Sequence, residues 1–168
     1  MKSLAQKRVV LISLAAMLIM FTVVMFVVNP LIDGGNGMDV IRLQLSFDKQ
    51  TGIQIASGLN KELFRRWIFT DYLYAVSYAF FLSSLISWLI KNRHVSKTSW
   101  LSIGIYLPFI AGACDWIENS IELLFFKDMV SFPSELFYLH SVLATIKWMS
   151  LPVILVMIVV LVRKNAVS

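Results

Sequence analysis

The sequence predicts an all-α membrane protein: a bundle of four transmembrane helices with both termini in the cytoplasm and a small extracytoplasmic segment between the first two helices. Of its 168 residues, 58% are hydrophobic and 15% are charged, and the mean hydropathy is +0.77. These values lie outside the range of soluble globular proteins. Four apolar segments are each long enough to cross about 30 Å of hydrocarbon. We therefore expect one integral membrane domain over residues 1–168 and no large soluble catalytic domain.

The first span is predicted from about Val9 to Val28, after the basic residues Lys2, Lys7 and Arg8. This apolar run is longer than the core of a typical signal peptide. Its exit, Phe26-Val-Val-Asn-Pro30, also lacks a small-x-small cleavage pattern. We expect a retained membrane anchor.

Three further spans are predicted, from about Trp67 to Ile90, Ser99 to Phe125 and Leu136 to Val162. The connections between spans indicate the orientation, because basic residues are retained on the cytoplasmic side. One side carries basic residues and no acid: Lys2, Lys7, Arg8, Lys91, Arg93, Lys97, Arg163 and Lys164. We therefore expect a multi-pass protein of the inner (cytoplasmic) membrane with both termini in the cytoplasm.

The connection between the first two spans, roughly Asn29 to Arg66, is expected to lie outside the cytoplasm. It opens with Asp33-Gly-Gly-Asn-Gly37, a composition typical of a turn or loop. Near its end, Asn60 is expected to cap a basic helical turn that leads into the second span.

The middle of this connection has two interpretations that fit equally well. Apolar residues alternate with polar ones from Ile41 to Phe47, Asp48 to Gly52 has turn composition, and Ile53 and Ile55 could form a return strand. This pattern predicts a β-hairpin resting on the membrane or on the helix ends. The alternative is an amphipathic segment that lies in the membrane interface.

The third span carries an unusual run of polar residues. An ionisable group costs several kcal/mol in lipid unless it is paired, wetted or neutralised. At about 100° per residue, one arc of the helix holds the small and polar groups. These are Gly104, Pro108, Ala111, Asp115, Glu118, Asn119 and Glu122. The small residues favour close approach of another helix, and Pro108 frees a carbonyl and can bend the span.

Depth along the spans predicts which polar residues meet. At a rise of about 1.5 Å per residue, Asp115 lies about 15 Å and Lys147 about 17 Å below the outer ends of their spans. Glu122 is expected near water. The resulting candidate site draws on spans two, three and four and opens toward the outer side: Asp71, Tyr74, Tyr78, Asp115, Glu118, Asn119, His140 and Lys147. Trp116 and Trp148 are expected at its rim or wall.

The candidate site contains more acids than bases. We expect one carboxylate to pair with Lys147 and at least one acid to carry a proton near neutral pH, because burial disfavours an unpaired charge. Such a site can hold a proton, a cation or a polar headgroup. The competing interpretation is structural, because buried polar groups also fix the register of packed helices.

No cofactor and no metal site is predicted. Cys114 is the single cysteine and falls within a span, so the sequence has no internal disulfide, no CxxC pair and no Cys-His metal cluster. The net charge of +5 sits mostly beside the spans, where basic residues orient helices and contact anionic headgroups. Nucleic-acid binding is therefore not expected.

Three stretches carry a resemblance to known proteins. Asp71 on an aromatic and small-residue helix, Ala113-Cys-Asp-Trp-Ile-Glu-Asn119 with its Asp-x-x-Glu-Asn motif, and Thr145-Ile-Lys-Trp148 resemble a family of small four-span bacterial membrane proteins of unknown function. The resemblance covers the chain from about Phe64 to the last span and implies the polar site but no activity. A looser, architectural similarity is to the emopamil-binding and sigma-2 receptor superfamily, whose four or five spans enclose a sterol or amine site lined with acids and aromatics. The motifs of that superfamily do not occur here in order, so its sterol isomerase activity is not implied.

Three classes of function fit these observations. The favoured one is a binding protein whose polar site takes a lipid headgroup, an amine or other cation, or a proton, because fixing the register of four helices does not need three acids. The second is a membrane enzyme acting on a lipid or isoprenoid, with Glu118 or Asp115 as general acid or base and Lys147 stabilising developing charge. The third is a structural or assembly subunit. Membrane lipids are expected partners, and a small amphipathic ligand, a homodimer and a membrane-protein partner stay open.

Overall fold

The computed structural model describes residues 3–28, 38–96 and 99–163, and the secondary structure in these ranges is entirely helical. Four helical segments are long and apolar enough to cross a membrane: Lys7–Phe26, Lys61–Asn92, Trp100–Lys127 and Ser134–Arg163. The four predicted spans are thereby confirmed and indicate a multi-pass membrane protein. The turn predicted at residues 33–37 lies outside the described residues.

The first span begins as helix α1, Lys7–Thr22, and continues as a π-helical segment, Val23–Val28. Only 6% of its apolar 18-residue window is buried inside the protein. A helix that is apolar on all sides needs an apolar environment around it, which lipid supplies. Among the long helices, α1 packs mainly along α4, Lys61–Asn92.

The predicted β-hairpin is wrong, because its residues form two short helices, α2 (Met38–Gln44) and α3 (Lys49–Ser57). In α2 the buried side chains are Val40, Leu43 and Gln44. Their spacing of three and four residues is helical, and it falls on the same stretch as the apolar–polar alternation that suggested a strand. The apparent turn at Asp48 is the N-cap of α3, where the carboxylate accepts hydrogen bonds from the backbone N–H and the hydroxyl of Thr51, both at 2.8 Å. These bonds hold the pKa of Asp48 below its ordinary value of 3.8.

Helices α2 and α3 dock on the start of the fourth span, helix α7 (Ser134–Arg163). The backbone N–H of Phe47, which has a φ of 53°, donates to the hydroxyl of Ser141 at 3.2 Å. Gly52 lies against the ring of Phe137 so closely that an added Cβ would come within 2.2 Å of it. The short helices are therefore a packed part of the bundle and contribute to an apolar core at its end: Val40, Leu43, Ala56, Phe64, Phe125, Phe132 and Phe137.

The third span is broken into helices α5 (Trp100–Ile103) and α6 (Leu107–Lys127). Pro108 lies in the first turn of α6, where its missing N–H costs no helical hydrogen bond. The buried hydroxyl of Ser83 on α4 donates to the carbonyl of Ile105 at 2.9 Å and so satisfies a backbone group in the break. The expected bend at Pro108 is thus a full interruption of the helix.

Helix α6 packs against both α4 and α7 and presents its polar residues between them. Small residues allow the close approach to α4, because Gly112 has no side chain and an added Cβ would lie 3.2 Å from that of Ala79. The buried face of α6 is the one that the helical wheel predicts.

Asn60 caps α4 as expected, accepting hydrogen bonds from the backbone N–H groups of Glu62 and Leu63.

Candidate functional site

Lys147 on α7 lies at the centre of a buried polar cluster. Its Nζ is 2.9 Å from Oδ1 of Asp115 and 2.8 Å from Oε2 of Glu118, both on α6. The three side chains are almost completely inaccessible to solvent. Asp115 and Lys147 are in contact, as their positions along the spans predict, and the ammonium binds two carboxylates of the neighbouring helix where one was expected.

Two hydrogen bonds extend the cluster to α4. The Tyr78 hydroxyl donates to Oδ2 of Asp115 at 3.2 Å, and Nδ2 of Asn119 donates to Oδ2 of Asp71 at 2.9 Å. Both bonds connect buried side chains. Helices α4, α6 and α7 therefore bring their polar groups together, as the spacing along the spans predicts.

Glu122 and His140 form a second buried pair beside this cluster. Their side chains are 1% and 2% exposed, and Glu122 Oε1 lies 3.0 Å from His140 Nε2. The prediction that Glu122 lies near water is wrong. The apolar core that includes Phe125 and Phe137 covers this end of α6, so counting residues from the end of the span overestimates its contact with water.

A cavity of about 710 Å³ borders the polar cluster. Most of its wall is apolar and comes from α1, the π-helical segment, α2, α4 and α7, including Met17, Phe21, Val40, Leu82 and Leu151. Its polar lining includes Asp71, Tyr74, Tyr78, Asp115 and Lys147. The size is within the range of about 300–1,000 Å³ that is usual for small-molecule sites.

The candidate residues divide into those that line this cavity and those that do not. Tyr74 lines it without a hydrogen bond to the acids, and its ring packs against that of Tyr78 at a centroid distance of 5.5 Å. Glu118, Asn119 and His140 lie behind the wall. Their proposed role in binding stays a prediction.

The two tryptophans expected at the rim lie on different surfaces. Trp148 lines the cavity, and its indole N–H donates to Oε1 of Gln44 at 3.2 Å, which links α7 to α2. Trp116 is half exposed on another face, where its N–H donates to the carbonyl of Tyr72. The expectation that Trp116 lies at the rim or wall of the site is therefore wrong.

Sequence reasoning did not find the contribution of α2 to the cavity. Met38, Val40, Ile41 and Gln44 line it from the segment interpreted as a hairpin or an interfacial segment. Their spacing of three and four residues is the helical signal that the alternating pattern concealed.

The described residues form a helical bundle with four candidate membrane spans, in which a buried ionic cluster borders a largely apolar cavity. No known protein-family model, curated protein or solved structure matches the chain.

Proposed function

We propose that this protein binds an amphipathic amine in the cavity between α1, α4 and α7, with the ammonium group at Asp71 and the hydrocarbon part along the apolar wall. The observation that carries the proposal is the position of Asp71. This acid lines the cavity, and none of the ion pairs among the described residues includes it.

The charge of the cavity wall favours a cation. Among the described residues, Asp71, Asp115 and Lys147 are the charged residues of the wall, and when all three are ionised they carry one excess negative charge. The Lys147 ammonium is already bound to Asp115 and Glu118, whereas the one side-chain hydrogen bond that Asp71 accepts from a described residue comes from the neutral amide of Asn119. A ligand ammonium at Asp71 would complete the pairing of charges that a low-dielectric environment requires.

The aromatic residues of the cavity wall also favour an ammonium headgroup. Trp67, Tyr74, Tyr78 and Trp148 line the cavity with Asp71, and aromatic faces attract cations. An amine bound between a carboxylate and these rings exchanges its hydration for a charge-assisted hydrogen bond and for contacts with aromatic rings.

The proposal is tested with three ligands that share one alkyl chain and differ in the headgroup: dodecylamine, dodecanol and dodecanoate. Each is titrated into the full-length protein in nanodiscs. We expect dodecylamine to bind at least about tenfold more tightly than the other two, because a hydrogen bond between charged groups contributes about 1.5–3 kcal/mol. Asp71→Asn should remove this preference, and Glu62→Gln, at an exposed acid outside the cavity, should keep it. Equal binding of the three ligands, or an unchanged preference in Asp71→Asn, would contradict the proposal.

We also propose that the termini lie in the cytoplasm and that α2, α3 and the adjoining part of the cavity lie toward the outer side of a cell membrane. The distribution of basic residues around the span ends supports this orientation. The resemblance to small bacterial four-span proteins supports the inner membrane as the location.

A further inference from the structure

Three side chains of residue types that can bind a metal ion converge between α6 and α7. Glu118 and Glu122 lie one turn apart on α6, and His140 faces them from α7. One ligand atom from each lies within 4.8 Å of the other two. None of the three residues lines the amine cavity, although Glu118 binds Lys147, which does.

The hydrogen-bonding capacity of this group is incompletely used. Glu118 Oε1, Glu122 Oε2 and His140 Nδ1 are buried and have no hydrogen-bond partner among the described residues. The three side chains are at most 2% exposed. Buried polar atoms are nearly always satisfied by protein, water or an ion, so unpaired atoms on three adjoining side chains indicate a missing ligand.

The sign of the surrounding charge indicates a cation. Four buried carboxylates, those of Asp71, Asp115, Glu118 and Glu122, face one buried ammonium, that of Lys147. If all are ionised, three negative charges remain without a buried counter-ion among the described residues. A divalent cation would remove two of these charges.

We propose that Glu118, Glu122 and His140 bind one divalent first-row metal ion of the Zn²⁺ class. One imidazole with two carboxylates is a donor set that such ions favour. Ligand atoms lie about 2.0–2.2 Å from the metal and therefore about 3.4 Å from each other in a tetrahedral site. The three ligand atoms lie within 4.8 Å of one another, so each separation has to change by at most about 1.4 Å to reach that spacing.

Lys147 is compatible with this ion. It contacts Oε2 of Glu118, which leaves Oε1 for the metal, and the anionic carboxylate then lies between the two cations. Three protein ligands leave one tetrahedral position for water or a ligand atom.

Metal binding is tested on the full-length protein, purified in nanodiscs, stripped with a chelator and equilibrated with Zn²⁺ or Co²⁺. We expect one ion per chain by elemental analysis and, for Co²⁺, the visible absorption of a tetrahedral complex. His140→Asn and Glu122→Gln should each weaken binding of Zn²⁺ by about 100-fold or more, because changes even outside the ligand set cost 10–100-fold.

Two matched controls use the same chemical changes at exposed positions. His94→Asn and Glu135→Gln should bind Zn²⁺ like the unmodified protein. If His140→Asn does not fold, the Zn²⁺ affinity of Glu122→Gln provides the test. This variant is expected to fold, because its amide can still form a hydrogen bond to His140. A folded wild-type protein that retains no stoichiometric Zn²⁺ or Co²⁺ would overturn the proposal, and so would full metal binding by Glu122→Gln.

Discussion

At the scale of single residues, Lys147 connects α6 and α7 through buried ion pairs. Its ammonium binds Asp115 and Glu118 inside the bundle, at distances of 2.9 and 2.8 Å. Removing one partner of a buried ion pair leaves an uncompensated charge, and the penalty is larger than the net stabilisation that the pair provides. The same residue lines the cavity, so one side chain contributes both to the packing of the bundle and to the cavity wall.

Lys147→Met should lower the free energy of unfolding by about 3–5 kcal/mol, because two carboxylates lose their counter-ion. Chemical denaturation in detergent measures the loss. Adding Asp115→Asn to Lys147→Met should recover part of it, since one of the orphaned charges is then gone. A Lys147→Met variant as stable as the unmodified protein would show that these carboxylates do not need the ammonium.

The polar residues also show what a sequence can and cannot predict at this scale. Helical rise placed Asp115 and Lys147 at one depth, and their contact follows from the regular geometry of two helices. The pairing of Glu122 with His140 was not predicted, because burial at the end of α6 depends on aromatic side chains from other elements. Phe137, for example, lies with its ring centroid 5.4 Å from that of His140.

At the scale of elements, the docking of α3 on α7 depends on the absence of a side chain at Gly52. The ring of Phe137 occupies the place of a Cβ and is itself 1% exposed and enclosed by other aromatic rings. The ring therefore has little room to move. Gly52 was interpreted as a turn residue, because the sequence shows a glycine but not the side chain that needs its space.

Gly52→Ala should destabilise the protein by about 1–3 kcal/mol, the usual effect of inserting a methyl group into a filled core. Gly58→Ala is the matched control. An added Cβ there meets only a backbone oxygen at 3.4 Å, and the φ of −82° suits alanine. Thermal unfolding of both variants gives the comparison. Equal stability of the two would contradict the docking of α3 described here.

The short helices mark the limit of pattern-based prediction for elements. The four spans were predicted because length and hydropathy alone determine a membrane-spanning helix. Helices α2 and α3 have seven and nine residues, and helices of that length are stabilised by tertiary packing more than by their own sequence. The contacts of Phe47 with Ser141 and of Gln44 with Trp148 supply that packing.

At the scale of the whole molecule, the bundle is longer than the membrane is thick. Helices α4 and α7 have 32 and 30 residues, or about 48 and 45 Å, compared with about 30 Å of hydrocarbon. The surplus at one end packs with α2 and α3 into the apolar core around Phe64 and Phe125. This end is therefore stabilised by contacts within the protein.

The proposed orientation predicts which positions a membrane-impermeant maleimide reaches from outside intact cells. In a Cys114→Ala background, Ser57→Cys at the end of α3 should be labelled and Lys91→Cys at the end of α4 should not. Both native side chains are exposed. Permeabilised cells should show labelling at both positions, which controls for reactivity. The reverse pattern would place the termini outside.

The position of α1 affects how the cavity would fill. This helix forms part of the cavity wall, has little of its apolar surface buried inside the protein and rests mainly on α4. A ligand with a long alkyl chain partitions into the bilayer before it reaches that wall. Occupancy of the cavity then depends on the mole fraction of the ligand among the lipids. Adding empty phospholipid vesicles at constant total ligand lowers this mole fraction and should therefore lower the occupancy.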